Sequence, residues 1–190
     1  MKKLYQTLEN RSNPDEIENY GPFKCRTATS WLGEGYYFWD GFIELAHFWG
    51  KNGAYSNYVI CEADADLQED NCYDLVGNIE HLKDFRNIIA LMEQEGLVDN
   101  GTTVRRILTF MKDRGLFKHS SVRASAINSI NDVEDNKDFT LRVKFIEHKK
   151  SAAYLDVIPP IQICVFDCSK VALKNYKIVF PDYYVEGYAV

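Results

Sequence analysis

The stretch at positions 33–40 reads Gly-Glu-Gly-Tyr-Tyr-Phe-Trp-Asp and places two glycines beside four aromatic residues. Glycine has no Cβ, so the backbone there can approach a flat ligand closely. Aromatic rings bury a large area and also stack on flat ligands. The block is therefore typical of a site for a planar ring. It also fits a glycine turn that leads into an aromatic core strand, and the block alone does not decide between the two.

Other side chains with possible chemistry form weaker patterns. The histidines at 47, 81, 119 and 148 lack the H-x₃-H and H-E-x-x-H spacings of metal sites. The five cysteines contain no C-x-x-C pair, so we expect reduced, mostly buried thiols and no bound metal. His47 could line a pocket, although a histidine on the surface or in helix packing is the simpler interpretation.

Carboxylates are concentrated between positions 62 and 70 and could in principle bind a cation. They are Glu62, Asp64, Asp66, Glu69 and Asp70. The polar end of a strand and the turn after it would carry the same residues without any ligand. We prefer this second interpretation.

The elements that position the aromatic block are predicted as follows. Hydrophobic patterning indicates short strands at 3–8, 24–29 and 56–66, with a loop or weak helix between 10 and 20. Asp40 is predicted to be the N-cap of a helix, because its carboxylate can accept the free N–H groups of the first turn. The residues spaced along one face of that helix are Phe42, Leu45, Ala46 and Trp49.

From about 78 to 130 the spacing is helical. Two long stripes end at Gly96 and Gly115, and Val122, Ala126 and Ile130 indicate a third, shorter helix. Strand signals return at 141–147, 161–167 and 176–180. Because the strands and the helices are segregated along the chain, we predict the α+β class rather than an alternating doubly wound sheet.

The chain has 190 residues, 46% of them hydrophobic, and a net charge of −6. This length suits one domain with a real core. The negative charge argues against a general affinity for nucleic-acid backbone, although a local basic patch is present at Arg105, Arg106, Lys112 and Arg114. No apolar run reaches the ~18 residues of a membrane span, and the start of the chain lacks a signal-peptide pattern. We therefore expect a cytoplasmic protein that does not associate with membranes.

The aromatic block resembles the G-x-G-x-Y-F-x-D block of the ADP-ribosyltransferases of the poly(ADP-ribose) polymerase-like and diphtheria-toxin-like class. The matching residues are Gly33, Gly35, Tyr37, Phe38 and Asp40. The resemblance implies that NAD is the co-substrate and that Tyr37 stacks on one face of its nicotinamide ring. Phe48, on the following helix, would cover the other face, and Gly35 and Tyr36 would border the same ligand.

Two further segments resemble this family in the same order along the chain. Leu4-Tyr5-Gln6-Thr7 corresponds to a strand that ends in His-Gly-Ser or His-Gly-Thr, and the segment 161–167 corresponds to the strand that opens with the catalytic glutamate. The resemblance implies a single domain over 1–190, an ADP-ribosyltransferase-like split two-sheet β core, and a helical insertion at about 78–130. It also places Gln6, Tyr37 and Gln162 at the three catalytic positions.

Glutamine replaces both the histidine and the glutamate of the family. Gln6, with Thr7, could still hold the adenosine ribose and the carboxamide side of NAD, since an amide both donates and accepts hydrogen bonds. Gln162 could orient the nicotinamide ribose but has no charge and cannot take a proton. Hydrogen bonds to charged groups contribute about 1.5–3 kcal/mol against roughly 0.5–1.5 for neutral ones. Loss of a general base costs a further 10²–10⁴-fold or so in rate.

The resemblance therefore implies a mono-ADP-ribosyltransferase, such as a bacterial toxin or effector that modifies a protein or nucleic acid and is opposed by an antitoxin or immunity protein. Glu34, Glu44 and Glu147 could substitute for the missing carboxylate, although a surface charge is the simpler role for each. The alternative is a catalytically inactive module that binds NAD or another nucleotide. A third possibility is an acidic scaffold protein of unrelated fold, which would not bind NAD.

Overall fold

Nine strands are present in the structure, a computed structural model that describes residues 1–53, 55, 57–125, 142–146 and 153–185. The strands are β1 (Lys2–Glu9), β2 (Tyr36–Asp40), β3 (Tyr58–Ala65), β4 (Cys72–Asp74), β5 (Ser121–Ser125), β6 (Arg142–Lys144), β7 (Tyr154–Asp156), β8 (Ile161–Val165) and β9 (Lys174–Phe180). Seven of them form one sheet in the order β4-β5-β8-β2-β1-β3-β9, and β6 and β7 pair in a second sheet. Within the sheet only β4 and β5 run parallel; the other neighbours are antiparallel.

Five helices accompany this sheet in the described part of the chain. They are α1 (Pro14–Tyr20), α2 (Ile43–Asn52), α3 (Ile79–Gln94), α4 (Val104–Asp113) and α5 (Asp182–Val185). The protein is therefore a mixed α/β fold with a large, mostly antiparallel sheet. None of these helices, within the described residues, is long and apolar enough to cross a membrane.

The alternation of side chains explains β1 and its place in the core. Leu4 and Gln6 are buried, and Leu8 packs on the same face, whereas Lys3, Tyr5 and Thr7 point the other way. β1 pairs with β3 at eight positions but with β2 at only two, Leu4 with Asp40 and Tyr5 with Trp39. The sheet consequently parts between β1 and β2 beyond Tyr5.

Asp40 is not the N-cap of α2, so this prediction is wrong. The helix begins at Ile43 after Phe42, while Asp40 ends β2 and is 8% exposed. Its carboxylate instead binds Arg123 of β5 at 2.7 Å and Lys2 at 3.2 Å. A buried carboxylate is stabilised by such partners, and Gly41, at φ +78°, turns the chain from the strand into the helix.

The helical pair α3 and α4 matches the two long hydrophobic stripes, and Asn78 and Thr103 cap the two helices. The third predicted helix is wrong where it can be compared. Residues 121–125 form β5, in which Val122 is buried opposite Cys164 of β8, and residues 126–130 lie outside the described part. A short apolar run fits both the helical period of 3.6 residues and the strand period of two, and pairing with β8 selects the strand.

The predicted strand at 24–29 is also wrong. The only ladder contact in this segment is an isolated bridge between Cys25 and Gly35, and the following residues form a turn in which the Ser30 N–H donates to the Thr27 carbonyl at 3.2 Å. Thr27, Ala28 and Thr29 are exposed, so no buried face holds them in a sheet. We refer to residues 23–31 as the cleft loop.

Candidate ligand-binding cleft

A cleft of about 770 Å³ opens where β1 and β2 part. Its walls come from the end of β1, α1, the cleft loop, β2 and the last turn of α2, with Gln162 contributed by β8. Small-molecule sites typically occupy about 300–1,000 Å³, so the cleft has the size of a nucleotide site.

Gln6, Tyr37 and Gln162 all line this cleft, although they are far apart in the sequence. The topology explains the convergence, because β1, β2 and β8 are consecutive strands of the sheet. Gln162 is directly opposite Trp39 across the β2–β8 pair, and Tyr37 is opposite Cys164. The three predicted triad positions therefore share one cavity.

Gln162 lines the cleft with an amide that has no protein partner among the described residues. The residue is 9% exposed, and no described residue hydrogen-bonds to its side chain. The amide is not one of the fully buried polar atoms without a partner, so it is accessible from the cleft. A ligand group that both donates and accepts, such as a hydroxyl or a carboxamide, would suit it.

The hydroxyl of Tyr37 is already hydrogen-bonded to the backbone, which leaves the ring as the part of this side chain that could meet a ligand. The hydroxyl accepts a hydrogen bond from the Leu32 N–H and donates one to the Gly33 carbonyl, each at 2.8 Å. Burial raises the pKa of Tyr37 far above its usual value, and the neighbouring Cys164 adds to this rise, so the phenol stays neutral. The bonded hydroxyl fixes the ring, which packs against the core cluster of Leu32 and Cys164, and Tyr37 is among the residues that line the cleft.

Gln6 has a different role from the one predicted. Its amide Nε2 donates to the Phe23 carbonyl at 2.9 Å, and its Oε1 accepts from the Phe23 N–H at 3.1 Å and the Tyr176 hydroxyl at 2.8 Å. The residue is only 3% exposed. Both ends of the amide are therefore occupied, and Gln6 holds the start of the cleft loop instead of reaching for a ligand.

Of the other predicted ligand residues, Thr7 lines the cleft, but Gly35, Tyr36 and Phe48 are not among the lining residues. The Thr7 hydroxyl donates to the Ala46 carbonyl of α2 at 2.9 Å. A Cβ on Gly35 would meet Cys164 Sγ at 2.3 Å and the Val165 carbonyl at 2.8 Å, so this glycine allows close packing on β8. Tyr36 packs against the core cluster around Phe38.

Trp49, the residue after Phe48 on α2, lines the cleft, and Phe48 is not among the lining residues. Trp49 lies in the last turn of α2, is 41% exposed, and lines the cleft together with Trp39. The two indole centroids are 6.3 Å apart with the ring planes at 57°. Its spacing behind Phe42 predicts a core residue, and nothing in the sequence pattern indicates that the ring faces a cavity.

The charged residues of the cleft were not predicted. Arg11, Lys24 and Arg26 line it, together with Glu9 and Glu16. Arg11 Nε is 2.7 Å from the Glu9 carboxylate, and Lys24 Nζ is 3.8 Å from Glu34, whereas Arg26 forms no ion pair with a described residue. Arg26 is thus the cation of the cleft best able to meet an anionic group.

Two of the three proposed substitute carboxylates, Glu34 and Glu44, can be located in the structure. Glu34 and Glu44 are exposed and do not line the cleft, and Glu147 lies outside the described residues. The carboxylates among the lining residues are Glu9 and Glu16, which stand at the end of β1 and on α1. Neither is in a strand that neighbours Gln162.

The remaining polar candidates have structural partners. Glu62 and Asp64 pair with Lys3, and a hydrogen bond from Asn175, ahead of the Lys3 charge, lowers the pKa of Asp64. His47 lies 3.0 Å from the Tyr58 hydroxyl and does not line the cleft. Within the described ranges no three His, Cys, Asp or Glu side chains are grouped to hold a metal ion.

Comparison with known proteins adds no assignment: no protein-family model, no curated protein and no solved structure matches this chain. The candidate site therefore rests on its own geometry.

Proposed function

We propose that this chain has an ADP-ribosyltransferase-like fold, binds NAD in the cleft between β1 and β2, and acts as a mono-ADP-ribosyltransferase. One observation carries the proposal. Gln6, Tyr37 and Gln162, selected from a resemblance of three separate segments, line a single cavity of nucleotide size.

The cleft offers three kinds of recognition that suit a dinucleotide. The fixed ring of Tyr37 and the indoles of Trp39 and Trp49 can stack on a nicotinamide or adenine ring. The free amide of Gln162 can meet ribose hydroxyls. Arg26, without an ion pair among the described residues, suits a diphosphate.

In the proposed reaction, the bond between nicotinamide N1 and ribose C1′ breaks and nicotinamide leaves as a neutral ring. An acceptor nucleophile then bonds to C1′ and loses its proton to solvent. Gln162 positions the ribose but adds no negative charge, so the rate depends on orientation in the cleft. An acceptor that needs no general base is favoured, and chain building is not expected.

The biological setting follows from the resemblance alone. We propose a toxin or effector acting on a protein or nucleic acid, with an antitoxin or immunity protein as its partner.

The first test combines calorimetric titration with NAD and measurement of released nicotinamide. Binding together with release supports the transferase. The decisive variant is Gln162→Glu, which restores the carboxylate and should raise nicotinamide release by about tenfold or more, because a charged hydrogen bond replaces a neutral one. Gln94→Glu, an equal change on the exposed end of α3, is the matched control and should leave release unchanged.

A second candidate function is an NAD-binding module without catalysis. The occupied amide of Gln6 and the neutral side chain of Gln162 favour it, since neither triad position offers an ionisable group. Binding of NAD without nicotinamide release, in both the wild type and Gln162→Glu, would select this module. Failure of the wild type to bind NAD would reject both functions.

A further inference from the structure

One side chain of the helical region reaches the wall of the cleft. Arg105, in the first turn of α4, directs Nη1 toward the carbonyl oxygens of Thr27 (3.3 Å) and Ala28, and toward the Ser30 hydroxyl (3.3 Å). All three acceptors belong to the cleft loop, which is remote from α4 in sequence. A single guanidinium thus ties together two parts of the molecule.

The middle of the cleft loop has few other restraints. Its start is held by the Cys25–Gly35 bridge and by Gln6, and the residues just after it by the Tyr37 hydroxyl. Between these points Thr27, Ala28 and Thr29 are exposed. Among the described residues, it is Arg105 that donates hydrogen bonds to this middle segment from outside the loop.

The segment held by Arg105 is part of the site. Arg26, Thr27, Thr29 and Ser30 line the cleft, and Arg105 itself does not. We propose that Arg105 is a positioning residue, which acts on the ligand only by fixing residues 26–30 at the cleft wall. This inference rests on the proposed NAD site.

Order in the free protein is the physical basis of this role. A loop that is already fixed loses less conformational entropy when a ligand binds than one that must be ordered by the ligand. Removal of the Arg105 hydrogen bonds should therefore weaken NAD binding although no contact with NAD is deleted.

The geometry specifies which substitutions can replace Arg105. All three acceptors surround one nitrogen, Nη1, whose two N–H groups must share them. A lysine ammonium carries three donors on a side chain of similar length and is therefore the conservative replacement. Methionine resembles the aliphatic part of the side chain and has no donor. Arg105→Lys should therefore retain the function that Arg105→Met loses.

The matched control is the next residue on the same helix. Arg106 is exposed, pairs with Asp99 at 2.8 Å, and does not line the cleft. Arg106→Met removes the same charge one position away, so any effect of charge alone would appear in both variants.

The experiment measures NAD affinity by calorimetry, amide hydrogen exchange of each variant without ligand, and the free energy of unfolding in urea. Arg105→Met should raise the Kd for NAD by about three- to tenfold, as expected for ordering a short segment. Exchange should accelerate in residues 26–30, and the unfolding free energy should stay close to that of Arg106→Met. Arg105→Lys should restore both affinity and exchange.

The inference is overturned if Arg105→Met leaves exchange in residues 26–30 unchanged, or if Arg106→Met weakens NAD binding equally. A large global destabilisation in Arg105→Met but not Arg106→Met also overturns it, because the role would then be general. If the wild type does not bind NAD, the proposed function fails. Exchange alone then decides whether Arg105 positions the loop.

Discussion

Two substitutions of Tyr37 can distinguish the contribution of its hydroxyl from that of its ring. Its hydroxyl is hydrogen-bonded to the backbone of Leu32 and Gly33, while its ring is the part that stacks on the ligand in the proposed site. The hydroxyl therefore contributes to the stability of the loop, and in our proposal the ring contributes to ligand binding.

We expect Tyr37→Phe to lower the unfolding free energy by about 1–2 kcal/mol, because the Leu32 N–H loses its acceptor, and to change NAD affinity little. Tyr37→Ala should weaken NAD binding by about 1–3 kcal/mol, the range for loss of one stacking ring. Urea unfolding and calorimetric titration of both variants check these values. Equal NAD affinity in a folded Tyr37→Ala protein would contradict the stacking role.

For single residues, the sequence predicts which of them line the cleft better than it predicts what each side chain does there. The resemblance predicts that Gln6, Tyr37 and Gln162 share one cleft, but the hydrogen bonds of Gln6 to Phe23 and Tyr176 depend on contacts that local sequence does not indicate. The sequence also does not indicate that Trp49, rather than Phe48, lines the cleft. Neighbouring helix residues point about 100° apart, and the rotation of α2 on the sheet selects which ring meets the cleft.

A small, largely buried charge network joins strands of the main sheet, and two of these strands, β1 and β2, border the cleft. Arg123 on β5 binds Asp40 on β2 and Asp74 on β4, at 2.7 and 3.1 Å. Lys2 on β1 also reaches Asp40, but its side chain is 45% exposed. The network therefore connects four strands, and Arg123 is its most buried cation.

Arg123→Met should lower the unfolding free energy by about 3 kcal/mol or more, because Asp40 and Asp74 would keep their charges with less compensation. Lys2→Met should cost less than about 1 kcal/mol, since an exposed ion pair is screened by water. Chemical denaturation of the two variants measures both. A cost for Lys2→Met equal to that for Arg123→Met would show that burial does not set the strength of these pairs.

Element type is predicted well where the apolar period extends over many residues, as in β1, β3, α3 and α4. It is predicted poorly at 24–29 and 121–125, where five or six residues fit more than one period. The point at which β1 and β2 separate cannot be predicted from local patterning. It depends on which residues of the two strands are paired by backbone hydrogen bonds, and this is set by the tertiary structure.

Two of the four histidines, His47 and His119, have pKa values below the usual value. Burial, and next the charge of His81, lowers the pKa of His119 below its usual value, and burial followed by Lys51 lowers that of His47. A lowered pKa in the folded state means that the unfolded chain binds protons more readily. The stability contribution is complete above about pH 6.5, the unfolded value, and is lost as pH falls from there toward the folded values.

The unfolding free energy should therefore decrease between about pH 7.5 and about pH 5.5, and the decrease should be smaller in His119→Phe, which keeps an aromatic ring beside Tyr73 and Phe117. Urea unfolding at the two pH values measures the difference. If the unfolding free energy decreases equally with pH in the variant and the wild type, His119 is excluded as a source of the acid sensitivity.

The sequence contains three tryptophans, Trp31, Trp39 and Trp49, and every one of them borders the cleft. The protein consequently has a built-in optical reporter. Emission excited at wavelengths that tyrosine hardly absorbs comes from this one region, so occupancy by any aromatic compound should quench or shift the signal without a label. Collections of nucleotides and planar metabolites can be surveyed on the unmodified chain in this way.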